Sequence, residues 1–195
     1  MIYSFCRAVV RLVLTVVWRF RVLDSEKVPR TGPLIVAANH VGYFDPPALG
    51  CALPRPIHYM AKQELFAIPV LGWLIRRLNA FPVDRSQGSG AVKRAVEVLK
   101  SGAAMGIFPE GGRNREGTNE TKTGAALLHY LSGAPIVPAY IAGTARANRL
   151  APITVVYGEP LSFATGEKAS REDLAKWTEE IMARIQALRG ALGGD

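Results

Sequence analysis

The segment from Asn39 to Asp45, NHVGYFD, places a histidine and an aspartate five residues apart. It directly follows an apolar run that predicts a strand over Leu34–Ala38, and α/β sheets present catalytic groups at the carboxyl ends of their strands. Asp45 could accept a hydrogen bond from one ring nitrogen of His40, leaving the other nitrogen to remove a proton from a hydroxyl. A loop histidine that caps a turn is the alternative interpretation. The chain has no Gly-x-Ser-x-Gly elbow, so we expect the hydroxyl to belong to a substrate.

A second polar segment, FPEGGRNR over residues 108–115, also follows a predicted strand. Its two glycines would let backbone amides approach a ligand, and its two arginines carry forked donors that suit a phosphate. Its glutamate could orient an arginine or hold a substrate hydroxyl. A solvated polar turn is the alternative interpretation. These residues are Glu110, Gly111, Gly112, Arg113 and Arg115.

The elements that must position these segments alternate in type along the chain. Short apolar runs predict strands at Leu34–Ala38, Ile57–Ala61, Ala80–Val83, Ala104–Phe108, Ile136–Ile141 and Ile153–Tyr157. Helical periodicity predicts helices at Pro46–Ala52, Glu64–Leu78, Gly90–Lys100, Lys122–Ser132 and Arg171–Leu188. This alternation predicts a single α/β domain with a mixed, largely parallel sheet covered by helices. We expect the domain to span residues 25–190, between an N-terminal amphipathic helix at 1–24 and a frayed tail at 191–195.

Length and composition are those of one globular domain. The 195 residues are 49% apolar and 21% charged, which excludes a disordered chain and leaves little room for a second domain. Cys6 and Cys51 lack the spacing of a disulfide framework or a zinc site, so we expect a reduced, cytosolic chain without a metal.

The formal charge of +8 is distributed unevenly, since the whole basic excess lies in residues 1–122. Such a surface could face nucleic acid, an anionic membrane or a phosphorylated substrate. A nucleic-acid-binding module would interleave aromatic and basic residues on a stacking platform or carry a recognition helix. The sequence has neither pattern, so we expect no nucleic-acid partner.

Residues 1–23 contain four arginines and no acidic residue, and they predict an amphipathic helix. Arginines interrupt the apolar run too often for a membrane-spanning helix or a cleaved signal peptide. One face holds Ser4, Arg7, Arg11, Thr15, Arg19 and Arg21, and the opposite face holds Phe5, Val9, Leu12, Val13, Val16 and Phe20. This pattern favours a helix lying in an anionic membrane surface, and packing on the domain's own core is the alternative.

Four blocks in order resemble the motifs of the glycerolipid acyltransferase family, typified by bacterial 1-acylglycerol-3-phosphate acyltransferase. They are NHxxxxD at 39–45, the segment 81–85, FPEGxR at 108–113 and VPxx at 137–140, and the resemblance covers roughly residues 25–160. Gly112 departs from the threonine common in the third motif. Pro82 is inserted beside the usual second-motif pattern.

The resemblance implies transfer of a fatty acyl group from an acyl-CoA or acyl carrier protein thioester to the free sn-2 hydroxyl of 1-acyl-glycerol-3-phosphate. It implies that His40 is the general base and that Asp45 orients it. No cofactor or metal is implied besides the thioester co-substrate. The alternatives are another lysophospholipid, glycerol-3-phosphate or a glycolipid as acceptor, and, more distantly, a non-catalytic basic membrane-binding protein.

The same resemblance implies a substrate-binding set around this dyad. The set comprises Arg85, Glu110, Gly111, Gly112, Arg113, Lys122 and Pro138. Arg85, Glu110, Gly111 and Arg113 would bind the glycerophosphate headgroup. Pro138 would help to shape the acceptor or acyl site. Lys122 could assist the phosphate or the thioester oxyanion, although a solvent-facing lysine is the alternative. We expect such an enzyme at the cytoplasmic face of the cell membrane, as a peripheral or monotopic protein.

Overall fold

A seven-stranded sheet runs through the part of the chain that the structure, a computed structural model, describes: residues 2–83, 88–114, 120–164, 168–190 and 192. The strands are β1 (Arg21–Leu23), β2 (Leu34–Ala38), β3 (Ile57–Lys62), β4 (Ala80–Val83), β5 (Ala104–Ile107), β6 (Ile136–Ala142) and β7 (Thr154–Tyr157). Their order is β1-β7-β6-β2-β5-β3-β4. Within the described residues, β6 and β7 form the one antiparallel pair. The prediction of a mixed, largely parallel sheet is confirmed.

Six helices cover the sheet in the described residues. They are α1 (Ile2–Trp18), α2 (Asp45–Ala52), α3 (Pro69–Arg77), α4 (Gly88–Lys100), α5 (Gly124–Ser132) and α6 (Arg171–Gly190). Three short 3-10 helices lie at Ser25–Lys27, Gln63–Ala67 and Thr144–Arg149. The single α/β domain predicted from the alternation of elements is therefore confirmed.

The helices form two layers because the crossover connections run in two directions. α2 leads from β2 to β3 and α3 from β3 to β4, whereas α4 and α5 lead back from β4 to β5 and from β5 to β6. Right-handed crossovers place these two pairs on opposite faces of the sheet. Leu14 of α1 packs in the core on the α2 face, and Ile181 of α6 packs on the other. We call α1, α2 and α3 the first layer, and α4, α5 and α6 the second.

The central strand β2 shows how the sequence builds both cores. All five residues of Leu34–Ala38 are buried, as expected for a parallel strand covered on both faces. Alternate side chains enter different cores: Val36 packs towards the first layer, and Ile35 packs towards the second. The carboxyl end of β2 is therefore rigidly placed where the His40 segment begins.

Two helix predictions need correction. The helix expected over Glu64–Leu78 is broken into the 3-10 helix Gln63–Ala67 and α3, because Pro69 has no N–H to donate and favours an extended residue before it. The helix expected from Lys122 begins at Gly124 instead. The strand expected to reach Phe108 ends at Ile107.

The N-terminal helix is shorter than the pattern predicts. It ends at Trp18, because Arg19 adopts the left-handed conformation with φ of 48°. The following Arg21–Leu23 then pairs with β7 as the unpredicted strand β1. Of the tail expected to fray, residues 191 and 193–195 lie outside the described residues.

The two faces predicted for α1 do not separate into a packed and an exposed one, because Arg11 and Thr15 of the arginine face are exposed. The packed side of α1 is formed by Val10, Leu14 and Trp18. The Arg7 guanidinium donates to the carbonyl of Leu53, and the Arg11 guanidinium donates to the carbonyl of Cys51 at 2.7 Å. Both carbonyls lie at the end of α2, where helical carbonyls have no partner in their own helix. On the predicted apolar face Phe5, Leu12 and Val16 are exposed, whereas Phe20, beyond the end of α1, is buried. None of the described helices combines the length and apolar character needed to cross a bilayer.

Candidate active site

The predicted His40–Asp45 pair is formed. His40 Nδ1 lies 2.8 Å from Asp45 Oδ2, with the Asp45 side chain fully buried and that of His40 17% exposed. The same carboxylate oxygen accepts the backbone N–H groups of Val41 and Gly42, each at 2.7 Å. Among the described residues, His40 Nε2 has no hydrogen-bond partner. With Nδ1 held by the carboxylate, Nε2 is the nitrogen that can accept a proton.

The turn that brings the pair together depends on Asn39 and Gly42. The buried Asn39 amide donates to the Ile141 carbonyl at 3.0 Å and accepts from the Ile141 N–H at 2.7 Å, which joins the end of β2 to β6. A Cβ on Gly42 would lie 2.9 Å from the carbonyl oxygen of Thr144, so only glycine fits there. Asn39 is not among the predicted site residues. Its signal was the position directly after a buried strand.

Stacked aromatic rings hold the imidazole from one side. The His40 ring stacks on Phe108 with centroids 4.3 Å apart, and Phe108 lies nearly parallel to Tyr59 at 6.4 Å. The Tyr59 hydroxyl donates to the Pro46 carbonyl at 3.0 Å, which ties the stack to the first turn of α2. Neither Phe108 nor Tyr59 is among the predicted site residues, because their relative positions depend on the register of β3 against β5.

Glu110 lies beside the histidine segment, and its expected role in substrate binding stays a prediction. It is 6% exposed, and its Oε2 accepts the backbone N–H of His40 at 3.4 Å. Burial raises the pKa of Glu110, and the nearby Asp45 adds a smaller increase that contact with His40 opposes. The carboxyl therefore supports the backbone of the histidine segment.

The loop that carries Glu110 is fastened to the histidine segment. The Asn114 N–H donates to the His40 carbonyl at 2.6 Å, and the Lys122 N–H donates to the Pro109 carbonyl at 2.7 Å. Gly111 has φ of 66°, and a Cβ there would lie 2.8 Å from Lys122 Cδ. The Lys122 side chain therefore crosses directly over Gly111, which places its cation at the edge of this site.

Arg113 lies over an exposed tyrosine from the first motif. Its guanidinium carbon is 3.8 Å from the centroid of the Tyr43 ring, a cation–π contact. Tyr43 is 72% exposed, so the pair stands at the rim of the site. The structure thus brings His40, Asp45, Glu110, Gly111, Lys122 and Arg113 together through direct contacts between the two motif segments and their flanks.

The remaining predicted site residues are placed differently. Gly112 sits in the same loop, and a Cβ there would meet nothing within 4 Å. Pro138 lies within β6 opposite Ala37, and its ring packs against Gly158. Arg85 and Arg115 lie outside the described residues. The binding roles of all these residues stay predictions.

This arrangement offers acid–base chemistry beside a cationic rim. The imidazole can remove a proton from a hydroxyl, while Lys122 and Arg113 supply positive charge for an anion. Within the described part of the chain, no three His, Cys, Asp or Glu side chains are grouped so as to hold a metal ion.

Comparisons with known proteins agree with these motifs. The family model described as "Acyltransferase" matches residues 19–142. The 1-acyl-sn-glycerol-3-phosphate acyltransferase of Bacillus subtilis (strain 168) is 35% identical over 97% of this chain and 98% of its own length. The enzyme of the same name from Streptococcus pneumoniae is 30% identical over 96% of this chain and 73% of its own.

A solved structure and a relative with another acceptor extend the comparison. The crystal structure of the 1-acyl-sn-glycerophosphate acyltransferase of Thermotoga maritima matches with a TM-score of 0.74 and 25% identity, over 99% of this chain and 82% of that one. The lyso-ornithine lipid O-acyltransferase of Pseudomonas aeruginosa is 31% identical over 71% of this chain and 48% of its own. Motifs, fold and relatives agree: the chain belongs to the acyltransferase family and is an O-acyltransferase.

Proposed function

We propose that this enzyme transfers a fatty acyl group from a thioester, acyl-CoA or acyl carrier protein, to the free sn-2 hydroxyl of 1-acyl-glycerol-3-phosphate. The product is phosphatidic acid. The observation that carries the proposal is the 2.8 Å contact between His40 and the buried Asp45. The names of the Bacillus and Streptococcus relatives support this acceptor.

In the proposed reaction His40 is the general base and Asp45 orients it. His40 Nε2 takes the proton from the acceptor hydroxyl as the oxygen attacks the thioester carbonyl carbon. A carbon–oxygen bond forms, and the tetrahedral intermediate then loses the carbon–sulfur bond. The leaving thiolate takes up the proton from Nε2, so the products are an ester and a free thiol. Asp45 keeps the ring in the tautomer that this sequence requires.

The headgroup would bind on the cationic side of the site. Lys122 and Arg113 supply positive charge beside His40, and the backbone of Gly112 is open to a close approach. Arg85 would add a second guanidinium in this proposal. A phosphomonoester carries nearly two negative charges at neutral pH, so these cations favour it over a neutral alcohol.

His40→Ala tests the dyad with purified protein. Thiol release from acyl-CoA and from acyl carrier protein is measured with lysophosphatidic acid as acceptor, and we expect turnover to fall by about 10²- to 10⁴-fold. His58→Ala is the matched control, because that half-buried imidazole contacts the Ala104 carbonyl at 3.3 Å and no carboxylate among the described residues. Equal turnover in wild type and His40→Ala would refute the dyad.

A second acceptor class follows from the lyso-ornithine lipid relative. Wild type and Arg113→Ala are compared on lysophosphatidic acid, on glycerol-3-phosphate and on an acceptor without a phosphate. If the phosphomonoester is the native acceptor, Arg113→Ala should lower its kcat/KM about tenfold more than that of the phosphate-free lipid. A uniform loss, or a wild-type preference for the phosphate-free acceptor, would favour the alternative.

We propose further that α1 lies on an anionic membrane surface, at the cytoplasmic face of the cell membrane. The support is its exposed apolar face, in which Phe5 is 70%, Leu12 63% and Val16 73% exposed. Deleting residues 1–23 would also remove the buried Leu14 and Phe20. Triple substitution of the three exposed residues by serine is therefore the cleaner test.

The triple variant should lose binding to anionic vesicles in sedimentation while its unfolding midpoint in urea stays unchanged. Unaltered sedimentation would refute the membrane assignment of α1. The free energy of unfolding is the internal control, since these side chains make little contact with the core.

A further inference from the structure

A second exposed apolar surface follows β3. It is formed by the 3-10 helix Gln63–Ala67 and the first two turns of α3. We call it the α3 patch. Its members and their exposed fractions are Leu65 38%, Ile68 49%, Val70 79%, Leu71 36% and Trp73 51%. Single exposed apolar residues are common on soluble proteins, but five large ones within nine residues form a contiguous patch.

The α3 patch is presented by a firmly packed support. Gly72 is buried against the 3-10 helix, and a Cβ there would lie 2.4 Å from the Phe66 carbonyl oxygen. Phe66 itself is 7% exposed. Gly72 and Phe66 already occupy the inward side of the segment. The exposed apolar residues therefore have no place in the core of the domain.

Cations border the α3 patch. The Arg76 guanidinium lies 5.1 Å from the Phe66 ring centroid, and that of Arg77 lies 5.7 Å from the Trp73 ring centroid. Glu64 is the acidic residue of the segment. Tryptophan and arginine side by side suit the boundary between acyl chains and anionic headgroups.

The α3 patch lies at the edge of the sheet that carries the site. It follows the carboxyl end of β3, whereas His40 follows that of β2 and Glu110 that of β5, and these strands are parallel. α3 also belongs to the first layer, together with α1. The two apolar surfaces therefore stand on one face of the sheet, with the α2 segment and the dyad in the same layer.

We propose that the α3 patch is a second bilayer contact, separate from α1, and that the two contacts together fix the tilt of the active site against an anionic lipid surface. The proposal rests on the proposed function in one respect, since an acceptor lipid must reach His40 from the bilayer. A second copy of the chain is the less favoured occupant. A symmetric pair would bring two sets of Arg76 and Arg77 against each other.

The test uses full-length protein and vesicles of phosphatidylcholine, with or without an equimolar amount of phosphatidylglycerol. Val70→Ser/Trp73→Gln should weaken vesicle binding about tenfold or more, because buried apolar area drives interfacial binding. Arg77→Gln should reduce the gain from phosphatidylglycerol about fivefold, the usual effect of one basic residue near an anionic surface. Leu131→Ser is the matched control, an exposed leucine at 41% on the second layer.

Unchanged binding in Val70→Ser/Trp73→Gln, or an equal loss in Leu131→Ser, would overturn the proposal. So would a lipid-free dimer in sedimentation velocity that the double substitution disperses. Urea unfolding checks that each variant is folded. Binding is measured without substrate, so absence of acyl transfer on every acceptor would refute the proposed function while this result still stands.

Turnover of the double variant on two kinds of acceptor tests whether the α3 patch acts through membrane binding. With lysophosphatidic acid embedded in vesicles, the double variant should lose turnover in proportion to binding. With a short-chain, monomeric acceptor its kcat/KM should equal that of wild type. Loss on the monomeric acceptor would instead assign these residues to the substrate pocket.

Discussion

The two helical layers of this acyltransferase have opposite outer surfaces. The first layer exposes large apolar side chains along α1 and in the α3 patch, and Tyr43 and Phe44 extend this character to the site. In the second layer, among the described residues, Leu131 is the exposed large apolar side chain. One sheet thus separates a layer with many exposed large apolar side chains from a layer with few. His40 lies on the side with many.

His40 on the first-layer side and His129 in the second layer also differ in what their ring nitrogens contact. His129 on α5 is buried, and its Nδ1 contacts the Ala134 carbonyl at 2.8 Å while its Nε2 accepts the Phe163 N–H at 3.1 Å. Both of its ring nitrogens therefore contact backbone groups of the core. In His40 one nitrogen is held by a carboxylate and the other is available for chemistry. If the layers divide function in this way, substitutions should affect activity on one side and stability on the other.

The largest effect is expected from Asp45→Asn. An amide can present its NH₂ group to His40 Nδ1, which favours the wrong tautomer and should lower kcat by about 10²- to 10⁴-fold. Asp173→Asn is the matched control, because Asp173 also stands in the first turn of a helix, α6, and accepts the Ser170 hydroxyl at 2.7 Å. Steady-state thiol release measures both. Similar kcat values in Asp45→Asn and Asp173→Asn would contradict the division of function between the two layers.

The next effect belongs to the second layer. His129→Ala should lower the free energy of unfolding by about 2–4 kcal/mol, because it removes a buried ring and leaves two backbone groups without their partner. The kcat per folded molecule should stay at the wild-type value. Urea titration and thiol release separate the two quantities. A large loss of kcat in fully folded His129→Ala would place catalytic function in the second layer as well.

Two tyrosines of the first-layer core should respond with opposite signs. The buried Tyr157 hydroxyl has no hydrogen-bond partner among the described residues, and burial raises the pKa of Tyr157. Tyr157→Phe should therefore raise the free energy of unfolding by about 1 kcal/mol. Tyr59→Phe loses the bond to Pro46 and should lower it by a similar amount, about 1 kcal/mol. Equal signs in urea titrations would contradict this account.

The smallest effect is a difference in pH dependence between the layers. Burial raises the pKa of Glu110, so the unfolded chain ionises first and stability falls as pH rises above the ordinary glutamate value of 4.5. Hydrogen bonds from Ser170 lower the pKa of Asp173, so its contribution is present above 3.8 and is lost as pH falls below that value. Glu110→Gln should thus be more stable than wild type at neutral pH, and Asp173→Asn less stable.

Urea titrations between pH 3.5 and 7 test both signs. The advantage of Glu110→Gln should disappear in acid, where the carboxyl is protonated in both states. The disadvantage of Asp173→Asn should also shrink in acid. A pH-independent difference in either variant would show that its carboxyl does not titrate as described.

Local sequence patterns were sufficient for most of the fold and for the dyad. Short apolar runs in the sequence predict the buried strands. The five-residue separation of His40 and Asp45 is short enough for a single turn to bring them together. Both features depend on neighbours along the chain. Tyr59 and Asn39 were missed as site components because their partners, Phe108 and Ile141, are distant in sequence and are brought close only by strand register.

The N-terminal helix shows a different limit. Periodicity predicts an amphipathic helix but could not say which side of it has a partner. The packed side is formed by Val10, Leu14 and Trp18, and the Arg7 and Arg11 guanidinium groups reach carbonyls at the end of α2, which a sequence gives no means of locating. Phe5, Leu12 and Val16 are left exposed.

Helix α2 makes specific contacts at both of its ends. α2 is eight residues, about 12 Å, long. Arg7 and Arg11 donate to carbonyls at its carboxyl end, and its amino end carries Asp45, which contacts the His40 imidazole. The contacts of α1 and the contact with His40 therefore lie one short helix apart, so a single element sets the position of α1 and that of the imidazole.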